Sequence, residues 1–178
     1  MKNYVLILSF LLLGFYSCNK EDDAFAPPIT AENTFSCKID GELFVPKDHG
    51  GFIPLYGYLI EILEDNSWII TLSNGKNTLY LFIKKINNTG NYEVFASDGD
   101  QDFLYNEKTG MEFTDNGNNI EYISLNNSEN IEILSYTNGQ KLILKFDKIV
   151  LGSTTNNASI ILTDGKLNIN KETLNKDQ

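Results

Sequence analysis

Apolar and polar residues alternate in short runs through most of this chain, and clusters of Asn, Asp and Gly separate the runs. A period of two sends successive side chains to opposite faces of a strand. Between residues 34 and 170 no sustained helical stripe appears, so the pattern predicts an all-β domain. Its clearest unit is a hairpin. Residues 34–39 and 42–45 flank Asp40-Gly41, a dipeptide suited to the positive φ values of a type I′ turn, and Pro46 ends the second strand. Further strands are expected at 56–63, 68–73, 78–86, 90–95, 112–113, 121–125, 131–136, 141–150, 159–162 and 166–169. Asn74-Gly75-Lys76-Asn77 and Asp164-Gly165 read as turns between neighbouring members of that series. About ten strands in a mostly nearest-neighbour order fit an antiparallel β-sandwich or a closed, lipocalin-like barrel equally well.

The start of the chain breaks this pattern. Lys2 supplies a positive charge, residues 4–16 are almost unbroken apolar, and polarity returns at Ser17, Cys18, Asn19 and Lys20. That is the build of a secretory signal peptide; a spanning helix needs about 20 apolar residues, and this run is shorter. Ala24-Phe25-Ala26 offers a competing cut for the ordinary signal peptidase. Against it, Pro27 follows at once and the charged residues 20–23 stand between this site and the apolar run. Residues 19–33 are charged, then carry Pro27-Pro28, with no apolar period. They read as a flexible tether holding the domain on the order of 20 Å from its attachment point. The expected organisation is a removed signal peptide (1–17), Cys18 and its tether (18–33), a single β domain (34–170) and a polar C-terminal tail (171–178).

Two resemblances bear on location. Phe15-Tyr16-Ser17-Cys18 resembles a lipobox, the recognition sequence of bacterial lipoproteins, although Phe15 and Tyr16 stand where family members usually carry Leu and a small residue. The resemblance implies a diacylglycerylated Cys18, cleavage before it and acylation of the new amine. Lys20-Glu21-Asp22-Asp23 is similar to the lysine-plus-acidic surface-export signal of Bacteroidetes-type lipoproteins, which implies the outer membrane and its exterior face. The domain itself resembles small uncharacterised lipoproteins of that group. The likeness lies in Phe35-Ser36-Cys37-Lys38-Ile39-Asp40-Gly41 with Phe44 and Pro46 at its start, and in Ile161-Leu162-Thr163-Asp164-Gly165-Lys166-Leu167 at its end. It implies a secreted β domain and no particular activity.

Charge narrows the partners. Formal net charge is −10, from 24 acidic residues against 14 basic ones, all of them lysine. Such a surface is repelled by anionic headgroups and by nucleic acid, so nucleic acid is excluded as a partner and the acyl chains on Cys18 become the expected membrane contact. Each buried CH₂ of such a chain contributes about 0.8 kcal/mol, and two or three chains together hold firmly.

Candidate chemistry is sparse, and no residue is assigned a catalytic role. Cys37 shares a strand face with Phe35 and Ile39 and reads as a small core hydrophobe. A Cys18–Cys37 disulfide is the alternative, and it would exclude lipidation. The one histidine, His49, lies in Lys47-Asp48-His49-Gly50-Gly51 without a nucleophile motif or a set of zinc ligands. The best metal candidate is calcium at Asp98, Asp100 and Asp102, with Glu107 closing the site; Phe103 and Thr109 occupy the positions where an EF-hand needs Gly and Glu, and an acidic surface loop is the plainer reading. Tyr56, Tyr58 and Trp68, with Phe52, could form an aromatic platform for a glycan or peptide, although core packing is the commoner fate of such residues. Two functions follow as expectations. The preferred one is a non-enzymatic binding or accessory module for a glycan, peptide or outer-membrane partner; the alternative is a small secreted hydrolase using carboxylates, with or without calcium.

Overall fold

The computed structural model describes residues 28–48, 56–99, 108–125 and 129–174. Among them there are eleven strands and no helix: β1 (Thr34–Ile39), β2 (Glu42–Phe44), β3 (Tyr58–Ile62), β4 (Trp68–Ser73), β5 (Asn77–Ile83), β6 (Gly90–Val94), β7 (Gly110–Asp115), β8 (Ile120–Ser124), β9 (Glu129–Thr137), β10 (Lys141–Ser153) and β11 (Ser159–Asn170). All pair antiparallel in one curled sheet, a half-barrel, along the path β2-β1-β11-β10-β8-β7-β5-β4-β3. The all-β expectation holds. Consecutive strands are often neighbours, and the exceptions (β1 with β11, β5 with β7, β6 with β9, β8 with β10) are what wrap the sheet around one core.

The sheet forks at β10. Residues 141–145 of that strand pair with β9, which carries β6, whereas residues 151–153 pair with β8. Between the two legs, both carboxylate oxygens of Glu129 accept the Val150 N–H, at 2.8 and 3.0 Å. A side chain thus satisfies a backbone donor that neither leg reaches. The chain after β6 ties the legs together again: Phe95 N–H donates to Thr109 O, Ser97 N–H to Ser124 O, and the Ser124 hydroxyl to Phe95 O.

The longest strands bend together. In β10 the buried apolar positions are Leu142, Leu144 and Phe146, then Ile149 and Leu151; in β11 the positions on the same inward phase are Ile169, Leu167 and Gly165, then Leu162 and Ile160. Both strands therefore turn two successive residues outward at the same level, Asp147-Lys148 against Thr163-Asp164, and the inward phase shifts by one. Asp164 adopts a left-handed φ of 56°, and two residues of β11, Asp164 and Gly165, stand opposite Cys37 of β1. This corrects the expectation of a turn here. Asp164-Gly165 forms a β-bulge inside one continuous strand, which bends the sheet more sharply than regular pleating does. Gly165 faces Phe146 across the ladder, and the ring occupies the space that a side chain at 165 would need.

Residues 28–33, expected in the tether, are instead docked. Asn168 Nδ2 donates to Ile29 O, Asn170 N–H to Asn33 Oδ1, Asn33 Nδ2 to Thr173 Oγ1, and Lys141 pairs with Glu32 at 3.3 Å. Residues 171–174, expected in the tail, turn back so that Lys171 N–H reaches Gln140 O at 2.8 Å. Side-chain amides of Asn33 and Asn168 make these joins, and composition alone does not distinguish such amides from solvated ones.

Candidate functional site

Three turns meet at one end of the half-barrel. Asp40 and Gly41 both take positive φ, 50° and 88°, as a type I′ turn requires. The turn is pinned to β11, since Asp40 Oδ1 accepts Ile161 N–H at 2.8 Å and Asp40 N–H donates to Ile161 O at 2.9 Å. Between β4 and β5, Asn74 Oδ1 accepts the N–H groups of Lys76 and Asn77, at 3.1 and 2.8 Å. Between β7 and β8, the Asp115 carboxylate accepts from Gly117 N–H, Asn118 N–H and Asn118 Nδ2. The Asn118 amide, more than any other neighbour, holds the Asp115 carboxyl below its ordinary range. Asn116 then joins the second turn to the third, through its N–H to Lys76 O and its Nδ2 to Thr78 Oγ1.

These turns enclose a cleft of about 410 Å³, within the range of about 300–1,000 Å³ usual for small-ligand sites. Phe44, Phe113, Tyr122 and Ile160 supply its floor. Phe44 and Phe113 are almost fully buried, Tyr122 is half-buried, and the Phe113 and Tyr122 rings lie 6.1 Å apart at 47°. Asp40, Glu42, Asn74, Lys76, Asn77 and Asp115 form the rim. Asn77 Oδ1 is buried with no hydrogen-bond partner among the described residues. Of the apolar lining only Tyr122 keeps an accessible ring face, so the arrangement can seat one flat apolar surface against that ring and hydrogen-bond a polar perimeter around it. A second cleft, of about 250 Å³, lies at the fork. Its Lys145 and Glu132 pair with each other at 2.9 Å, leaving less charge for a ligand.

The aromatics proposed as a platform do not share a surface. Trp68 is 0% exposed and belongs to the core, which corrects its candidacy as a stacking face. Tyr56 is 46% exposed, ahead of β3. Tyr58 is half-buried, and its hydroxyl accepts Phe35 N–H at 3.0 Å; burial first, with the Asp48 charge assisting, pushes its pKa up to about 12. Cys37 is a buried free thiol whose pKa burial raises well above the usual range, in keeping with a core role. Of the calcium candidates, Asp98 is exposed beside Gly99, while Asp100, Asp102 and Glu107 lie outside the described residues. Among the described residues no group of three or more His, Cys, Asp or Glu is placed to hold a metal. Cys18, Lys20, Glu21, Asp22, Asp23, His49 and Phe52 also lie outside the described residues.

Sequence reasoning missed the cleft aromatics. Phe44, Phe113 and Tyr122 look like ordinary strand residues in the chain; the β7–β8 register sets Phe113 beside Tyr122, and the pairing of β2 with β1 and of β1 with β11 brings Phe44 into the same sheet. The usable signal lay in the turns, since each of the three clusters, 40–41, 74–77 and 115–119, is flanked within a few residues by a large apolar side chain of the adjoining strand. Compared with known proteins, the chain matches no family model, no curated protein and no solved structure.

Proposed function

We propose that this chain is a lipid-anchored lipoprotein of the outer membrane, facing the exterior, and that it acts as a non-enzymatic binding module for a glycan seated in the cleft between the three turns. The observation that carries the reading is the cleft itself, which sets the partly exposed Tyr122 ring inside a hydrogen-bonding rim. Sugar rings offer that combination in reverse, with apolar C–H faces and a perimeter of hydroxyls that both donate and accept. Its place in the fold supports presentation to the exterior. Asn168, which holds Ile29, and Ile160, which lines the cleft, are eight residues apart along β11, at most about 26 Å at the rise of a strand and less across the bend. The chain enters the domain at the end of β1 opposite the Asp40-Gly41 turn beside which the cleft opens, so an anchor at Cys18 joins the domain at the end away from the opening.

One experiment addresses both halves. Cells expressing the wild type and Cys18→Ser are fractionated, and detergent-purified wild type and Tyr122→Ala are applied to a glycan array. The serine variant should leave the membrane fraction, and wild type should retain a set of glycans that Tyr122→Ala loses. An unchanged distribution of Cys18→Ser would remove the anchor. Equal retention by Tyr122→Ala, or no retention by either, would remove the cleft reading.

A further inference from the structure

The strand path ends on β2 at one side and on β3 at the other, and the two edges are finished differently. β2 is three residues long, starts with Glu42 and runs into Pro46, the usual devices of a protected edge. β6, the outer strand of the forked leg, turns Gly90, Asn91 and Glu93 to solvent, and the next N–H along, that of Phe95, is taken by Thr109 O. β3 has no such protection. Ser73 N–H donates to Gly57 O and Leu63 N–H to Ser67 O. By the alternation of an antiparallel ladder, Leu59 and Glu61 also turn their backbone groups to β4, while Ile60 and Ile62 turn theirs away. Among the described residues no strand lies on that side. The side chains are open as well: Leu59 is 65% exposed on the outer face, and Ile60 and Ile62, which pack against the core, are only half-buried. No lysine, proline or bulge interrupts residues 58–62.

We infer that the free edge of β3 is a docking site for an extended segment of a partner protein, which joins the sheet as a further strand and sets a basic side chain opposite Glu61. Main-chain bonds to Ile60 and Ile62 supply the pairing, and alternate side chains supply the specificity. On the inner face the added strand lies beside Ile60 and Ile62, where apolar side chains complete their burial. On the outer face it lies beside Leu59 and Glu61. Exposed Glu61 selects lysine or arginine there, because opposite charges on neighbouring strands attract and like charges repel. The same charge disfavours the other occupants. A second copy adds another chain of formal net charge −10, and the segment before residue 28 brings Glu21, Asp22 and Asp23; both are repelled from an acidic edge. Among the described residues none of β3 lines the cleft, so this surface is separate from the proposed glycan site.

The test follows the fluorescence anisotropy of two labelled synthetic peptides, one alternating valine with lysine and one alternating valine with glutamate, titrated with full-length protein in detergent. The lysine peptide should bind about tenfold tighter than the glutamate peptide, a preference that shrinks as salt is raised. Glu61→Lys should level or reverse that preference with an unchanged melting temperature, since Glu61 is exposed. Ile60→Pro removes an N–H that points away from β4 and should abolish binding of both peptides. The lysine peptide methylated on its backbone nitrogens loses the same bonds from the partner's side, so its failure to bind tests the pairing without any variant of the protein. Binding of neither unmodified peptide, equal binding of both, or undiminished binding of the methylated peptide would overturn the inference. So would a protein that sediments as a dimer until Ile60→Pro separates it, which would make a second copy the occupant.

Discussion

Replacing Gly165 by alanine tests the origin of the bend in the sheet. A Cβ built on Gly165 falls 2.1, 2.2 and 2.4 Å from Cζ, Cε1 and Cε2 of Phe146, where ordinary contacts begin at 3.4 Å. The ring must retreat by more than an ångström, yet Phe146 is 2% exposed and sits in the main core. Overpacking of this kind costs about 1–3 kcal/mol. Backbone strain does not contribute, because the φ of Gly165 lies outside the left-handed region. The change also removes freedom from the unfolded chain, worth about 0.4–1 kcal/mol in the stabilising direction. The two effects oppose each other, and the steric one is the larger. We expect Gly165→Ala to lose about 1–2 kcal/mol, or about 2–8 °C of melting temperature for a domain of this size. Urea unfolding followed by the fluorescence of Trp68, the sole tryptophan and a fully buried one, measures it. The decisive arm is a double-mutant cycle with Phe146→Ala. That change alone should cost about 3–5 kcal/mol, and in its background Gly165→Ala should become neutral or stabilising, a coupling of about 1–3 kcal/mol. Equal stability of Gly165→Ala and wild type, or the same loss in both backgrounds, would refute the steric account.

Two further outcomes are expected. Tyr58→Phe removes the acceptor for Phe35 N–H, whose residue is fully buried, and should destabilise by about 1–3 kcal/mol in urea; a loss within error would mean that another acceptor reaches that N–H. Glu129 has its pKa raised above 4.5, by burial first, with Val150 N–H and Lys148 pulling the other way. An acid raised on folding binds its proton more tightly in the native state, so its contribution is fully present below the unfolded value and is lost as pH rises through the folded one. Stability of Glu129→Gln relative to wild type should therefore increase from pH 4 to pH 7, measured by thermal unfolding across that range, and a flat or falling difference would contradict the assigned burial.

The strands were legible because their patterning is local. Residues 34–39 and 68–73 form strands with the expected bounds, and Asp40-Gly41 makes the expected turn, since positive φ at two adjacent residues is a requirement that Asp-Gly meets. Asp164-Gly165 carries the same dipeptide and makes a bulge. The difference is a neighbour distant in sequence: Phe146 fills the space over Gly165 and β10 continues the ladder on both sides, so the strand bends without reversing. Local turn chemistry licenses a left-handed residue and leaves its use to the partner strand. Trp68 illustrates the same limit. Its strand was foreseeable, but which face met the core depended on the pairing of β4 with β5 and on the curl of the sheet.

That curl links the buried bend to the cleft. Leu43 and Phe44 on β2 line the same opening as Phe113 on β7 and Asn77 on β5, although β2 and β5 are six places apart along the strand path. Only a strongly curved sheet brings such distant strands to one mouth, and the paired outward residues of β10 and β11 are where the two longest strands supply curvature. Phe146 and Gly165 therefore shape the cleft without lining it. A variant that relaxes the bend should widen the spacing between the Asp40-Gly41 turn and the 115–119 turn, and so weaken a ligand that must touch floor and rim together. Phe146→Leu, smaller and still apolar, is the gentler probe of that dependence, since it loosens the contact with Gly165 while keeping a side chain in the core.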